Sequence, residues 1–322
     1  MRKTHRRKHS CIGIFLSIFI IFIIVMLAGV FVVPWIMQPE NFRYEKNQLR
    51  SLLYGQFQQD SYNAKSLIVV DRSNGDHFIS KKENEQQLPA SLAKLFVIEY
   101  ASTIADSASI VPVSYEAISM IRPGSSVANI KATDYFLHNL FAAMLVPSGN
   151  DAAYAVADFC GGILSPESVS CEERIELFMD RLNEYLQEKG YHDTVLYDPS
   201  GYDLEALTTV VDLNLVIDQL LEYQWFREIV CQSSYTATLP DGSIQTWKNT
   251  NIFLDPASEY YNENVIGIKT GSLSDDYNLV VLYKKYGKEF LICSLGSQSD
   301  ESRYDDVNYI INTINESDYL VE

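Results

Sequence analysis

Ser91 and Lys94 stand three residues apart in the stretch Pro89-Ala90-Ser91-Leu92-Ala93-Lys94-Leu95-Phe96-Val97-Ile98. On a helix they share a face. Nearly everything around them is apolar, which predicts a helix buried in a core. A lysine there is costly if charged and unpaired. Desolvation and cationic neighbours would lower its pKa and leave a neutral amine. A neutral amine beside a hydroxyl is a base beside a nucleophile. Ser91 also falls in the first turn, where free backbone N–H groups favour developing negative charge. A lone S-x-x-K is weak, since a chain of this size offers roughly one by chance. Two tripeptides downstream strengthen it: Ser148-Gly149-Asn150 and Lys269-Thr270-Gly271. The chain has no second S-x-x-K and no second K-T-G, although Ser61-Tyr62-Asn63 repeats the S-x-N spacing. The three motifs fall on a helix start, an inter-helix turn and a strand, a combination that suits one mechanism.

The elements that must position these motifs can be read from pattern. Ser66–Asp71 and His77–Ser80 flank the turn Ser73-Asn74-Gly75-Asp76 and predict a hairpin. The buried helix follows from about Ala90. Tyr135 to Leu145 has helical periodicity and stops before Pro147. A second helix begins at Asp151 and is expected to end at Cys160-Gly161-Gly162. Ser170-Cys171-Glu172-Glu173 is a capping box that opens a helix running to about Gly190. Thr208 to Tyr223 predicts another. The C-terminal part turns to strands: Val265–Thr270, then a hairpin of Asn278–Tyr283 and Lys288–Cys293 around Tyr286-Gly287, then a closing helix from Ser302 to Ile314. The expectation is an α+β fold: one antiparallel sheet built from both chain ends, flanked by helices, with a helical subdomain.

Charge and hydropathy divide the chain further. Residues 12–33 carry no charge and are long enough to span about 30 Å of hydrocarbon. A cleaved signal peptide is the rival reading, but its apolar region is usually shorter. The basic tail 1–11 would stay in the cytoplasm and place the body outside. Residues 34–63 read as a linker, 64–315 as the folded domain and 316–322 as a tail. Five of the 25 basic residues lie in the first ten positions, so 20 face 42 acidic residues in the rest. Such a body argues against nucleic acid as partner. The five histidines are scattered and the five cysteines form no C-x-x-C, which disfavours metal peptidase and His-based triad chemistry. Cys160 and Cys171 close one helix and open the next, which leaves open a bridge or two buried thiols.

The three motifs resemble those of penicillin-binding proteins and class A β-lactamases. Their surroundings are similar to the serine-type D-alanyl-D-alanine carboxypeptidases, the low-molecular-weight penicillin-binding proteins. Those surroundings are Leu88-Pro89-Ala90-Ser91-Leu92-Ala93-Lys94, Met144 to Ala153, Asp198-Pro199-Ser200-Gly201 and Gly267-Ile268-Lys269-Thr270-Gly271-Ser272. The resemblance spans about 64–315 and implies a β-lactamase/transpeptidase-like fold.

By motif position it implies Ser91 as acylated nucleophile, Lys94 as its base and Ser148 as proton relay to the leaving D-alanine. Asn150 would hold the substrate amide. Lys269 would keep the site positive, lowering the pKa of Lys94, and Thr270 would bind the substrate carboxylate. The N–H groups of Ser91 and Ser272 would form the oxyanion hole, and Gly271 would leave room for substrate beside the strand. Asp198–Gly201 itself reads as a turn, and Gly267 as a packing requirement.

No metal or cofactor is implied. The partners implied are peptidoglycan stem peptides, β-lactams as covalent inhibitors, and the membrane through 12–33. Members often carry a further β-rich C-terminal domain and a terminal amphipathic helix. Anchoring is expected at the N-terminus here. The resulting expectation is a single-pass membrane D-Ala-D-Ala carboxypeptidase with an extracytoplasmic domain. The alternatives are a class A-like β-lactamase, a β-lactam-binding sensor or a D,D-endopeptidase. Glu176 and Glu184 read as the solvated side of a helix rather than as a water-holding glutamate, with Glu167 in the preceding loop as a further candidate.

Overall fold

A computed structural model describes residues 61–167 and 170–316, with Met26 besides. The chain divides into two units, Met1–Gly55 and Gln56–Glu322, and the second holds all the strands and helices of the folded domain. Apart from Met26, the membrane span expected at 12–33 lies outside the described residues. Among the described residues no helix is long and apolar enough to cross a membrane.

Five strands form the main sheet: β1 (Ser66–Asp71), β2 (Asp76–Lys81), β7 (Val265–Leu273), β8 (Asp276–Lys285) and β9 (Lys288–Ser297). Their order is β2-β1-β9-β8-β7, antiparallel throughout, so both chain ends build one sheet as expected. Period-two alternation sorts its residues onto two faces. Ile68, Val70, Val280, Leu282, Leu291 and Cys293 face the larger apolar cluster. Leu67, Val69, Leu279, Val281 and Ile292 face a smaller one, covered by the closing helix Asp300–Glu316 through Tyr304, Val307, Ile310 and Ile314. Burial on both faces explains why β1 reads as an uninterrupted apolar run.

The larger cluster is built by helices. Helix α1 (Ala93–Ile104) is buried all round from Ala93 to Ala101, which is why its sequence shows almost no polar face. Short α2 (Tyr115–Ser119) lies between two small strands, β3 (Ile110–Pro112) and β4 (Asp134–Phe136). Helix α3 (Leu137–Leu145) precedes the Ser148 turn and α4 (Asn150–Leu164) follows it. Helix α5 (Cys171–Lys189) is closed by the predicted capping box of Ser170 and Glu173 and by Gly190 in left-handed conformation. Then come α6 (Val210–Leu220), α7 (Gln224–Val230) and the hairpin of β5 (Ser234–Thr238) and β6 (Ile244–Lys248), before the closing helix α8 (Asp300–Glu316).

One expectation is corrected, and one left open is decided. Helix α4 does not stop at Gly161-Gly162 but runs to Leu164. The glycines serve packing: a Cβ on Gly161 would lie 2.0 Å from the Arg174 carbonyl oxygen of α5. Of the two alternatives for Cys160 and Cys171, the structure shows two free, buried thiols. With α4 extended one turn, Cys160 points into the core and Cys171 lies against Met120, its Sγ 3.8 Å from that sulfur.

Candidate active site

Three parts of the chain converge at the end of β7. The first is the turn that carries Ser91. Ala90–Leu92 is a 3₁₀ turn leading into α1, and Ala90 has φ 47, a left-handed conformation in a non-glycine residue. This places Ser91 half-buried at the lip of the core rather than on a regular helical turn. Lys94, in the first turn of α1, is fully buried.

The Lys94 Nζ lies 3.0 Å from Ser91 Oγ, 2.8 Å from Asn150 Oδ1 and 2.8 Å from the Ser200 carbonyl oxygen. Two of those partners can only accept, so they take two N–H groups. The third is a hydroxyl, which can also donate. A neutral amine held in this way keeps its lone pair for the Ser91 proton. Burial pushes Lys94 down to about 7, against the pull of the Asp198 and Asp151 carboxylates. Desolvation is the largest cause of that lowering. Lys269 is itself buried and pushed well below its usual range, first by burial and then by the charges of Lys94 and Arg303.

The second part is the turn between α3 and α4. Ser148 has φ 63 and is buried. Gly149 sits where a Cβ would meet the Ala128 side chain at 2.6 Å and the Ala143 carbonyl at 2.9 Å, so the middle of S-G-N must be glycine. Asn150 begins α4, its N–H bonded to the Ser126 carbonyl at 2.8 Å. The next residue, Asp151, accepts from the N–H groups of Ala128 and Ile130 and pins the loop beside the turn.

The third part is β7, the edge strand of the main sheet. Lys269 Nζ donates to the Thr270 carbonyl at 2.9 Å, and Thr270 Oγ1 pairs with Thr250 Oγ1 at 2.7 Å. Gly271 was expected to leave space for substrate. The space it leaves is filled by the protein: a Cβ there would lie 3.0 Å from the Pro89 carbonyl and 3.3 Å from Leu92 N. Without a side chain it lets β7 approach the turn that carries Ser91. The structure therefore joins Ser91, Lys94 and Asn150 directly, and sets Lys269 to Ser272 across from them on a strand packed against residues 89–92.

Four residues that sequence reasoning did not place belong to this arrangement. The Ser200 carbonyl completes the Lys94 shell. Its turn is legible as a turn, but a backbone carbonyl leaves no mark in a sequence. Asp198 holds that turn by accepting from the Ser200 N–H at 2.8 Å, from the Ser200 hydroxyl, and from the Asp203 N–H at 2.7 Å. Arg303 of α8 is buried, and its Nη1 lies 3.0 Å from each of Gly271 O, Ser272 Oγ and Asn278 O, while Asp300 pairs with its Nη2. Asn278 of β8 donates to the carbonyls of Leu88 and Pro89. By contrast Glu167, Glu176 and Glu184 are all exposed.

Gly201 makes one consequence measurable. It has φ 76, and a Cβ would fall 1.9 Å from the Ala90 carbonyl oxygen. Gly201→Ala is expected to cost about 3 kcal/mol or more, from left-handed strain plus the clash. Chemical denaturation checks it, and an unchanged midpoint would show that the turn can move away from the nucleophile.

Known proteins resemble this chain along most of the folded part. The peptidase S11 family model, D-alanyl-D-alanine carboxypeptidase, matches residues 55–298. A D-alanyl-D-alanine carboxypeptidase of Streptomyces sp. (strain K15) is 31% identical over 183 residues, covering 55% of this chain and 60% of that one. The carboxypeptidase DacF of Bacillus subtilis (strain 168) is 25% identical over 252 residues, 76% of this chain and 60% of the relative. The chain thus spans 60% of the length of these curated relatives. Among solved structures, the Streptomyces K15 DD-transpeptidase superposes with a TM-score of 0.69 at 24% identity, covering 79% of this chain and 97% of that one. Penicillin-binding protein D2 of Listeria monocytogenes, in its ampicillin-bound form, gives 0.61 at 20% identity, over 79% and 98%. At these identities the structural likeness speaks for the fold.

Proposed function

From the premise that the chain belongs to the D-alanyl-D-alanine carboxypeptidase family, we propose that it removes the terminal D-alanine of peptidoglycan stem peptides through an acyl-enzyme on Ser91. The observation that carries this reading is the buried Lys94 amine, 3.0 Å from Ser91 Oγ, with two acceptor-only partners on its other sides.

The peptide end lies along the free edge of β7 as an added strand. Its carboxylate meets Thr270 and the Lys269 amine, whose proton the anion stabilises, and Asn150 holds the substrate amide. Ser91 Oγ attacks the carbonyl carbon of the penultimate D-alanine while its proton passes to Lys94 Nζ. The N–H groups of Ser91 and Ser272 take the oxyanion. The C–N bond then breaks, and the leaving nitrogen receives the proton from Lys94 through Ser148. Free D-alanine departs. Water attacks the ester, gives its proton to Lys94, and Ser91 Oγ regains a proton as the shortened peptide leaves. The same serine opens the ring of a β-lactam, which makes β-lactams covalent inhibitors. The uncharged segment 12–33 anchors the protein as a single span, with the basic tail in the cytoplasm and the domain outside.

The test is incubation of the full protein with a pentapeptide ending in D-Ala-D-Ala. Release of free D-alanine is expected, and none would overturn the reading. Below pH 7 the acylation rate should rise about tenfold per pH unit, since only the neutral amine accepts the Ser91 proton, and level off above about 7.

A further inference from the structure

We propose that Asn278 is the positioning residue that holds the nucleophile turn at working distance from β7, and so sets the gap between the two oxyanion donors. This rests on the reading of Ser91 as the acylated nucleophile.

Asn278 is fully buried. Its Nδ2 donates to the carbonyls of Leu88 at 2.8 Å and Pro89 at 2.9 Å, and its Oδ1 accepts from the Gly296 N–H at 2.8 Å. Both amide hydrogens and one lone pair are thus spent inside the protein. A buried amide is costly unless bonded, so the two carbonyls and the amide hold each other in place.

Its position in the sheet gives this grip a direction. Asn278 is the register partner of Gly271, and directly opposed residues share a face. On that face Gly271 has no side chain, and the backbone of residues 89–92 occupies the room it leaves. The pair acts as a socket: Gly271 supplies the space and Asn278 supplies the hook. The register of β8 against β9 shifts between Tyr277 and Leu279, so Asn278 also stands at an irregularity that turns its side chain to both the nucleophile turn and Gly296. Its own carbonyl is held by Arg303 Nη1, which also holds Gly271 O and Ser272 Oγ. One oxyanion donor, Ser91 N, lies two residues beyond Pro89. The other, Ser272 N, lies one residue beyond Gly271. Asn278 and its partners therefore form a hydrogen-bonded tie between the two halves of the oxyanion hole. A displacement of about 1 Å in such a site costs on the order of 100-fold in rate.

The experiment follows covalent labelling by a fluorescent penicillin over time at several concentrations. It resolves non-covalent affinity, the limiting acylation rate constant and the final amplitude. Asn278→Asp keeps the shape and the acceptor for Gly296 but turns an oxygen toward two carbonyls. Asn278→Ala removes both donors without adding charge. Each is expected to label stoichiometrically, with affinity within about twofold of wild type and an acylation rate constant about 100-fold lower. A merely structural residue would lower the amplitude, because fewer molecules fold, and leave the rate constant of the remainder unchanged. That pattern in both variants overturns the proposal, as does wild-type acylation at full amplitude in either one. If wild-type protein is not labelled at Ser91 at all, the carboxypeptidase reading itself falls.

Discussion

Ser91→Ala is expected to abolish labelling by a fluorescent penicillin and to stop D-alanine release, with the fold intact. The change removes one oxygen from a half-buried side chain, so stability should barely move. Its effect on chemistry is complete because the ester has no other oxygen to form on. Lys94→Ala should lower acylation by about 10²–10⁴-fold, the usual worth of a positioned base. That variant also leaves Asn150 Oδ1 and the Ser200 carbonyl without their buried donor. A lowered melting temperature is expected alongside the lost rate. Intact-mass measurement after a penicillin pulse reads both variants. Normal adduct formation by the Ser91 variant would sink the assignment of the nucleophile.

The second large effect separates carboxypeptidase from β-lactamase chemistry. The penicilloyl-enzyme should persist for minutes or longer, while the adduct from a D-Ala-D-Ala peptide turns over. Class A β-lactamases hold their hydrolytic water with a glutamate. Here Glu167, Glu176 and Glu184 are exposed. Two carboxylates that act on Lys94, those of Asp151 and Asp198, are taken up by backbone N–H groups. On the proposed mechanism deacylation rests on Lys94, and water is expected to reach it when the adduct is slim. Mass spectrometry across the decay of the adduct decides. Rapid return to the unmodified mass, without D-alanine release from peptide, would mean a β-lactamase. A lasting adduct without peptide turnover would mean a β-lactam sensor.

Local rules carried the sequence reading where physics is local. Short apolar runs bounded by turn residues placed the strands, and a capping box with its terminal glycine bounded α5 at both ends. The reading faltered at Gly161-Gly162. Two glycines usually end a helix, yet here they bring α4 against Arg174 of α5, and a contact made ten or more residues away leaves no local trace.

The three motifs, the helix that buries Lys94 and the sheet made from both chain ends were legible in the sequence, because side-chain type and spacing encode each of these directly. How the site is held depends on contacts between segments far apart in the chain. The Ser200 carbonyl is a group every residue carries, so its place beside Lys94 depends on a turn pressed against Ala90. Arg303 and Asn278 reach the site from α8 and β8 through contacts with main-chain atoms, which no residue pattern announces. The lowered pKa of Lys94 likewise comes from how completely the fold excludes water, a property of the packed whole rather than of the residues beside it in the chain.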